Sequence, residues 1–372
     1  MTHPTRLPEY PWDELAPIRE KARAFPGGVV DLSIGTPVDP VPPLIQQALK
    51  AAANTPGYPL TAGTPALRAA AASWLARCHD VHVDADNVLP VIGTKEFIAW
   101  LPVMLGLGAG DSVLYPALAY PTYGIGARLA GAEPVATDSQ PDGPSAARLL
   151  WVNSPSNPTG RVLSAGQLRD AVAWARSRPG GCVLASDECY LELGWSVSPV
   201  SALHRSVTGG SLDGVLAVFS LSKRSNLAGY RAGFVTGDPA LISQLLLIRR
   251  QAGMIVPAPV QAAMTAALSD DEHAVEQRAR YGARRAALAD GLIAAGFRID
   301  HSEAGLYLWA TRPGLDGWAA CELLASDCGI LVGPGSMYGP SGAEHIRVAF
   351  TATDERVAAA AARLHTLAHT LA

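Results

Sequence analysis

Short apolar runs alternate with loops and helical patterns from Val88 to Gly237, and this alternation constrains the fold more than any other feature. The runs that we predict as strands are residues 88–92, 112–115, 133–137, 149–152, 182–186 and 215–219. Strands separated by helices are typical of parallel sheets, whose ligands bind beyond the carboxyl ends of the strands. We therefore predict an open α/β sheet with a ligand crevice at that edge.

The pattern changes after Gly237 and predicts a second, smaller unit. Helical patterns come first, and shorter strand and helix patterns follow; they cover residues 239–250, 258–268, 271–295, 297–300, 306–310, 318–326, 330–332 and 346–350. We predict a large domain at residues 40–265. A small domain would combine residues 1–39, which include a proline-rich N-terminal arm, with residues 266–372.

Residues 220–233, SLSKRSNLAGYRAG, follow the last predicted strand of the first unit. Burial of a lysine ammonium is costly, so Lys223 at the edge of a core tends to lose its proton and become nucleophilic. A neutral amine condenses with an aldehyde, and Ser220 and Arg231 can hold a phosphate beside it. This combination predicts pyridoxal phosphate (PLP) as the cofactor. The alternative is a loop lysine that extends to solvent beside an unrelated arginine.

Three polar residues near other strand ends suit the same cofactor. Asp187 ends a buried strand, where its carboxylate needs a cationic partner such as a pyridinium N–H. Asn157 can donate to a phenolate oxygen, and Tyr190 can reach the same oxygen. Two of the three have a structural alternative: a helix cap for Asp187 and an Asx turn for Asn157. The three together favour the cofactor.

Two further loops offer binding groups of other kinds. Gly93, Thr94 and Lys95 form a turn that opens a predicted helix, where backbone amides can bind an anion. Tyr120 offers a flat aromatic face on which a heterocycle can stack. Tyr58 lies in a loop rich in proline and glycine, and a packing role is its alternative.

These motifs together resemble the class I/II aminotransferases of the aspartate aminotransferase superfamily, which are PLP enzymes of fold type I. The resemblance rests on Ser-x-Ser-Lys and Gly-x-Arg-x-Gly within residues 220–233, on NPTG at residues 157–160, and on Asp-x-x-Tyr at Asp187 and Tyr190. It runs along essentially the whole chain. It implies a large domain with a mainly parallel seven-stranded sheet between helices, plus a smaller α/β domain.

The resemblance also implies roles for individual residues. Lys223 would form the Schiff base with PLP and then act as the acid/base, with Asp187 and Tyr190 as the other catalytic groups. The implied cofactor-binding residues are Thr94, Lys95, Tyr120, Asn157, Asp187, Tyr190, Ser220, Lys223 and Arg231, joined by Tyr58 from the neighbouring subunit of a homodimer. Arg347 would bind the substrate α-carboxylate, with Gly35 and Asn157 alongside the substrate.

Several stretches are similar to the N-succinyl-diaminopimelate aminotransferases, among them YPWDEL, LSIGTPVDPVP, SDECYLELGW and SEAGLYLWATR. That subgroup transfers an amino group between glutamate and N-succinyl-2-amino-6-oxopimelate in lysine and diaminopimelate biosynthesis. One segment departs from it: residues 333–339 read GPGSMYG, where an Ala-Pro-Gly-Asp-Phe-Tyr-like segment is expected. Candidates for binding the distal carboxylate are Lys95, Arg249, Arg250 and Arg23, and a surface position is the alternative for each.

Composition excludes several other classes of function. The net charge is −4 and no block of Lys and Arg occurs, which argues against a nucleic-acid partner. No apolar run reaches the ~20 residues that a membrane span requires. The five cysteines form no CxxC pair, so we expect reduced thiols, a cytoplasmic location and no metal site. Open alternatives are an aminotransferase for another acidic or aromatic amino acid and a PLP-dependent C–S lyase; a PLP-bound regulator would need a DNA-binding extension that we do not find.

Overall fold

A computed structural model describes residues 7–8, 11–138 and 146–371. Its strands are β1 (Val30–Asp31), β2 (Val88–Ile92), β3 (Ser112–Tyr115), β4 (Glu133–Ala136), β5 (Ala147–Asn153), β6 (Val183–Asp187), β7 (Val215–Ser220), β8 (Ala232–Gly237), β9 (Arg298–Asp300), β10 (Tyr307–Thr311), β11 (Ile330–Leu331), β12 (Gly333–Pro334) and β13 (His345–Ala349). Its α-helices are α1 (Ala16–Ala24), α2 (Pro43–Ala51), α3 (Pro65–His79), α4 (Thr94–Met104), α5 (Thr122–Ala130), α6 (Ala165–Arg176), α7 (Arg205–Thr208), α8 (Leu221–Arg224), α9 (Pro239–Ala252), α10 (Ala258–Ser269), α11 (Glu272–Ala294), α12 (Gly317–Cys328) and α13 (Asp354–Leu371).

A seven-stranded sheet forms the centre of the molecule, with the strand order β2-β8-β7-β6-β5-β3-β4. Only β8 runs antiparallel to its neighbours, β2 and β7, while the other pairs are parallel. The connection from β7 to β8 spans only residues 221–231. A parallel crossover needs about a dozen residues or more, so this short connection favours the antiparallel arrangement. The prediction of a mainly parallel seven-stranded sheet is confirmed.

Both faces of this sheet are covered, as the apolar strands require. In β7, Val215, Ala217 and Phe219 pack into one hydrophobic core, while Leu216 and Val218 pack into the core on the opposite face. This alternation follows from the two-residue side-chain period of a strand. Sequence periodicity alone does not show it, because all five residues are apolar.

A second set of strands forms a smaller antiparallel sheet in the order β12-β13-β10-β9, and β1 pairs with β11 in parallel. A third hydrophobic core joins these strands to the N-terminal residues Leu15 and Ile18 and to α11, α12 and α13. This core includes residues from both ends of the described chain. The domain boundaries at residues 39/40 and 265/266 stay a prediction.

The N-terminal residues 11–24 form two helical segments, a 3₁₀ turn, Pro11–Leu15, and α1. Pro17 explains the division, because within one continuous helix its ring would clash with a carbonyl of the preceding turn. In the first turn of α1 a proline is tolerated. The predicted arm also includes Pro4, which lies outside the described residues.

Side chains cap the N-termini of two helices, α3 and α6. Thr64 Oγ1 accepts a hydrogen bond from the amide of Leu67 at 3.2 Å, and Ser164 forms a reciprocal capping box with Gln167.

In the part of the chain that the structure describes, no helix combines the length and apolarity needed to cross a bilayer. Among the same residues, no group of three or more His, Cys, Asp or Glu side chains is arranged to hold a metal ion.

Candidate active site

The ends of several central strands meet at one edge of the large sheet. Asn153, Asp187 and Ser220 are the last residues of the adjacent parallel strands β5, β6 and β7. Arg231 directly precedes β8, which runs in the opposite direction, so it reaches the same edge. A cavity of about 720 Å³ lies there and contains most of the predicted site residues in its wall: Gly35, Thr94, Lys95, Tyr120, Asn157, Asp187, Tyr190, Ser220, Lys223, Arg231 and Arg347.

Lys223 lies on the short helix α8, and its Nζ donates to the carbonyl oxygen of Gly35. Burial lowers the pKa of the Lys223 amine, which favours the neutral, nucleophilic form. Gly35 is required here by a close approach, because a Cβ at this position would lie 2.3 Å from the hydroxyl oxygen of Tyr307. The structure therefore places Gly35, which the resemblance puts alongside the substrate, next to the Lys223 amine.

Side chains next to Lys223 anchor α8 to α10 and α11. Arg224 donates to Glu192 at 2.5 Å and to the carbonyl of Ala267 at 2.7 Å. Ser225 Oγ lies 2.8 Å from His273 Nε2. These contacts hold the backbone next to Lys223 in place. They therefore fix the position from which the lysine side chain extends into the cavity.

Asp187 is buried, with 5% of its surface exposed. Its Oδ2 accepts a hydrogen bond from Tyr123 Oη at 2.7 Å, and its Oδ1 accepts one from the amide of Cys189 at 3.2 Å. Burial raises the pKa of this carboxyl, and these two neutral donors offset part of the rise. A buried carboxylate held by neutral donors suits a cationic ring N–H.

The start of α4 and the guanidinium of Arg231 form one end of the cavity wall. Gly93 precedes α4 with φ of 73°, and a Cβ there would lie 2.3 Å from Arg231 Nη2. The absent side chain therefore lets the guanidinium reach the helix N-terminus that Thr94 and Lys95 begin. A helix N-terminus beside an arginine suits a phosphate, so this end of the cavity fits the phosphate of PLP.

Arg347 lies on β13, where it is buried and lines the same cavity. Its Nη1 donates to Asn157 Oδ1 at 2.8 Å and its Nη2 to the carbonyl of Ser33 at 2.7 Å. The guanidinium carbon lies 4.0 Å from the ring centroid of Tyr307 and 4.7 Å from that of Tyr338. Two aromatic rings hold the guanidinium in place, and its Nε has no hydrogen-bond partner among the described residues.

Tyr190 directs its hydroxyl toward a second tyrosine. Its oxygen lies 3.2 Å from that of Tyr307, and the two rings meet edge to face at 5.9 Å between centroids. Burial raises the pKa of Tyr190 well above its ordinary value, so this phenol keeps its proton. The ring of Tyr120 faces the side chain of Lys95, and the Lys95 Nζ lies 5.9 Å from the ring centroid.

Other predicted residues lie outside this cavity. Tyr58 is 100% exposed and does not contribute to the cavity of its own chain. The interpretation of Arg249 as a binder of the distal carboxylate is wrong, because it is fully buried and forms two hydrogen bonds with Glu96. Arg250 and Arg23 do not line the cavity either, whereas Lys95 does.

Four residues of the site were missed by sequence reasoning: Asn153, Tyr123, Arg128 and Tyr307. Asn153 holds the Asn157 loop by accepting from the amide of Asn157 at 2.7 Å. Arg128 lines the cavity from α5 together with Gly124, four residues earlier on the same helix. The spacing of four residues between Gly124 and Arg128 on one helix is a local signal that points to Arg128. The contacts of Tyr123 and Tyr307 leave no such signal.

Comparisons with known proteins agree with this geometry. The family described as aminotransferase class I and II matches residues 27–364. The 4-dedimethylamino-4-oxo-anhydrotetracycline transaminase OxyQ of Streptomyces rimosus is 59% identical over 359 residues, which cover 96% of this chain and 99% of that protein. The probable aminotransferase Rv1178 of Mycobacterium tuberculosis is 58% identical over 364 residues, which cover 96% of this chain and 85% of that protein.

A solved structure shows the same fold. The probable N-succinyldiaminopimelate aminotransferase of Thermus thermophilus superposes with a TM-score of 0.86 at 28% identity, and the match covers 96% of this chain and 100% of that one. The family match spans Lys223, Asp187 and the residues at the start of α4. The chain therefore belongs to the class I and II aminotransferases, which are PLP-dependent enzymes of fold type I.

Proposed function

We propose that this enzyme transfers the amino group of L-glutamate to N-succinyl-2-amino-6-oxopimelate in a ping-pong reaction, as in diaminopimelate and lysine biosynthesis. The observation that carries this proposal is that further cationic side chains line the active-site cavity. Lys95 and Arg128 line the same cavity as Lys223 and Arg347. An acceptor with carboxylates at both ends needs one cation for each end. Arg347 would bind the α-carboxylate, and Arg128 with Lys95 would bind the distal carboxylate and succinyl group.

The cofactor, when bound, supplies an electron sink for the bond electrons at the substrate Cα. Lys223 Nζ would hold the cofactor and then move the proton from the substrate Cα, since burial lowers the pKa of this amine and so favours its neutral form. Asp187 would accept the ring N–H, while Tyr123 keeps its carboxylate in place. In the first half-reaction glutamate gives up its amino group and leaves as 2-oxoglutarate, and in the second the acceptor receives it.

The other predicted site residues would bind and orient. Thr94, Ser220 and Arg231 would hold the phosphate at the start of α4, and Tyr120 would stack on the ring. Asn157 would donate its side-chain amide N–H to the phenolate oxygen while its carbonyl oxygen keeps the bond to Arg347. One amide side chain would thus couple cofactor position to carboxylate binding.

We propose that the functional unit is a homodimer in which Tyr58 reaches the phosphate end of the neighbouring cavity. Tyr58 is 100% exposed and Leu60, two residues later, is 58% exposed. An apolar loop left uncovered on one chain is typical of a subunit interface. The small domain at residues 1–39 and 266–372 would then close on a site whose phosphate end is shared between subunits.

A second candidate acceptor is a polycyclic aromatic ketone of the kind that OxyQ is named for. The apolar part of the cavity wall favours it: Trp12, Ile34, Ile98, Ile125 and Met337 all line the site. Met337 belongs to GPGSMYG, the segment that departs from the succinyl-diaminopimelate subgroup. A flat aromatic substrate would bury against these side chains without requiring the second cation.

The two acceptors are separated by half-reactions of the purified holoenzyme. Enzyme that has been converted with glutamate is mixed with each acceptor, and the return of the cofactor's original absorption is followed. We expect saturable conversion by N-succinyl-2-amino-6-oxopimelate. Arg128→Gln should raise the KM for this acceptor about tenfold or more and leave that for pyruvate unchanged.

Arg250→Gln is the matched control, because Arg250 is an exposed cation outside the cavity. Faster conversion by an anhydrotetracycline-type ketone, with no effect of Arg128→Gln, would favour the second candidate. No conversion by either acceptor, in an enzyme that still reacts with glutamate, would refute both acceptors while leaving the aminotransferase assignment intact.

A further inference from the structure

The hydroxyls of Tyr190 and Tyr307 form a buried pair inside the active-site cavity. Their oxygens are 3.2 Å apart, and the side chains come from positions 117 residues apart in the chain. Tyr190 is 7% exposed and Tyr307 is 4% exposed. At this distance one hydroxyl donates to the other, so the direction of the hydrogen bond decides where the second proton points.

The groups around the pair favour one direction once an anionic oxygen lies beside Tyr190. Burial raises the pKa of Tyr190, so it remains a donor. Tyr307 Oη packs against Gly35, whose carbonyl already accepts from Lys223. If Tyr307 donates to Tyr190, the proton of Tyr190 is left for the anion, and two hydrogen bonds in the same direction polarise each other.

We propose that Tyr307 is a positioning residue that donates to Tyr190 and thereby strengthens the hydrogen bond from Tyr190 to the phenolate oxygen of bound PLP. A stronger bond to that oxygen makes the oxygen less basic. The pH at which the bound cofactor loses its proton is lowered as a result. This inference rests on the proposed contact between Tyr190 and the cofactor, and not on the identity of the acceptor.

Other charged and titratable groups also face the pair. They are Asp187 and Cys189 beside Tyr190, Lys223 on α8, and Arg347 on β13, whose guanidinium lies over the Tyr307 ring. A test must keep these groups in place. Tyr307→Phe does so, because the aromatic ring that stacks on Arg347 is retained and only the hydroxyl is removed.

Tyr338 provides a matched control. Its ring lies on Arg347 at 4.7 Å, compared with 4.0 Å for Tyr307, and it is equally buried. Its hydroxyl, however, has no hydrogen-bond partner among the residues that the structure describes. Tyr338→Phe therefore reproduces the loss of a buried phenol oxygen beside Arg347 without touching Tyr190.

The experiment is a pH titration of the visible absorption of the cofactor in five holoenzymes. They are the wild type, Tyr190→Phe, Tyr307→Phe, Tyr338→Phe and the Tyr190→Phe/Tyr307→Phe double variant, each with its cofactor content measured. We expect Tyr307→Phe to raise the apparent pKa by about 0.4–1 pH unit, which is the free energy of one neutral hydrogen bond expressed on the pKa scale. Tyr338→Phe should match the wild type, and the double variant should match Tyr190→Phe.

An unshifted Tyr307→Phe titration would overturn the inference, and so would an equal shift in Tyr338→Phe. Additive shifts in the double variant would also overturn it, because they would mean that Tyr307 acts by a path other than Tyr190. An unshifted Tyr190→Phe titration would overturn it as well, because the Tyr190 hydroxyl would then have no effect on the pKa of the bound cofactor. Failure of the acceptor assay, with these titrations as expected, would refute only the proposed acceptor.

Discussion

Arg249 and Glu96 form a buried ion pair that connects two helices next to the active site. Arg249, on α9, is fully buried, and its two terminal nitrogens donate to the two carboxylate oxygens of Glu96 at 2.9 and 3.2 Å. Glu96 lies in the first turn of α4, two residues after Thr94. The pair therefore holds the helix whose N-terminus is proposed to bind the phosphate.

Removing the carboxylate should destabilise the protein strongly. Glu96→Gln leaves the Arg249 guanidinium buried without a counter-charge, and breaking a buried pair in this way costs about 3–5 kcal/mol. A chain of 372 residues that unfolds as one unit has an unfolding entropy of about 0.8 kcal/mol/K near its midpoint. The expected fall in Tm is therefore about 4–6 °C.

Calorimetry of Glu96→Gln, Arg249→Met and the double variant tests this reasoning. The double variant should lose less stability than the sum of the single variants, since it leaves no unpaired buried charge. Arg250→Met, at the exposed neighbouring position, should change the free energy of unfolding by no more than about 0.5 kcal/mol. A Tm for Glu96→Gln within about 1 °C of the wild type would refute the assignment of a structural role to this pair.

Three further predictions concern the site and its surroundings. Lys223→Ala should lower kcat by several orders of magnitude, because acid/base catalysis alone contributes about 10²–10⁴-fold, and near-wild-type turnover would contradict the role of Lys223. Arg347→Ala should weaken binding of the substrate α-carboxylate by about 2–5 kcal/mol; a KM unchanged for every amino acid tested would be inconsistent with that contact. Burial raises the pKa of Glu188 to about 7, so the folded protein binds more protons than the unfolded chain at slightly acidic pH and loses stability as the pH rises to about 7. Glu188→Gln should therefore raise the Tm at pH 8 and leave it unchanged at pH 4, and an equal difference at both would argue against a titrating carboxyl.

The part of the site that the sequence predicted is the part that adjoins strand ends. Lys223, Asp187 and Asn157 each follow a short apolar run, and such runs are local signals that periodicity detects. Parallel strands then bring their carboxyl ends to one edge, so a linear pattern predicts a spatial cluster. In the structure these three side chains line one cavity.

The contacts that were missed join residues far apart in the chain. Tyr123 and Asp187 are 64 residues apart, and Arg249 and Glu96 are 153 residues apart. Neither pair leaves a periodic or compositional trace, because their meeting depends on how helices pack against the sheet. The wrong interpretation of Arg249 has the same cause, because the sequence does not distinguish an arginine that pairs with a carboxylate inside the protein from one that binds a substrate.

The spacing between Lys223 and Arg231 follows from the direction of β8. Ser220 pairs with Gly233 where β7 and β8 begin to run side by side in opposite directions, so residues 221–231 leave and re-enter the sheet at the same edge. An antiparallel return is what allows one short loop to carry both the amine and the guanidinium to the cavity. A parallel strand in this position would need a crossover to the far edge, which would separate the two groups by the length of a strand. A shift of one residue in the pairing would turn Ser220 to the opposite face of the sheet. The motif spacing is thus a requirement of the sheet topology as much as of the chemistry.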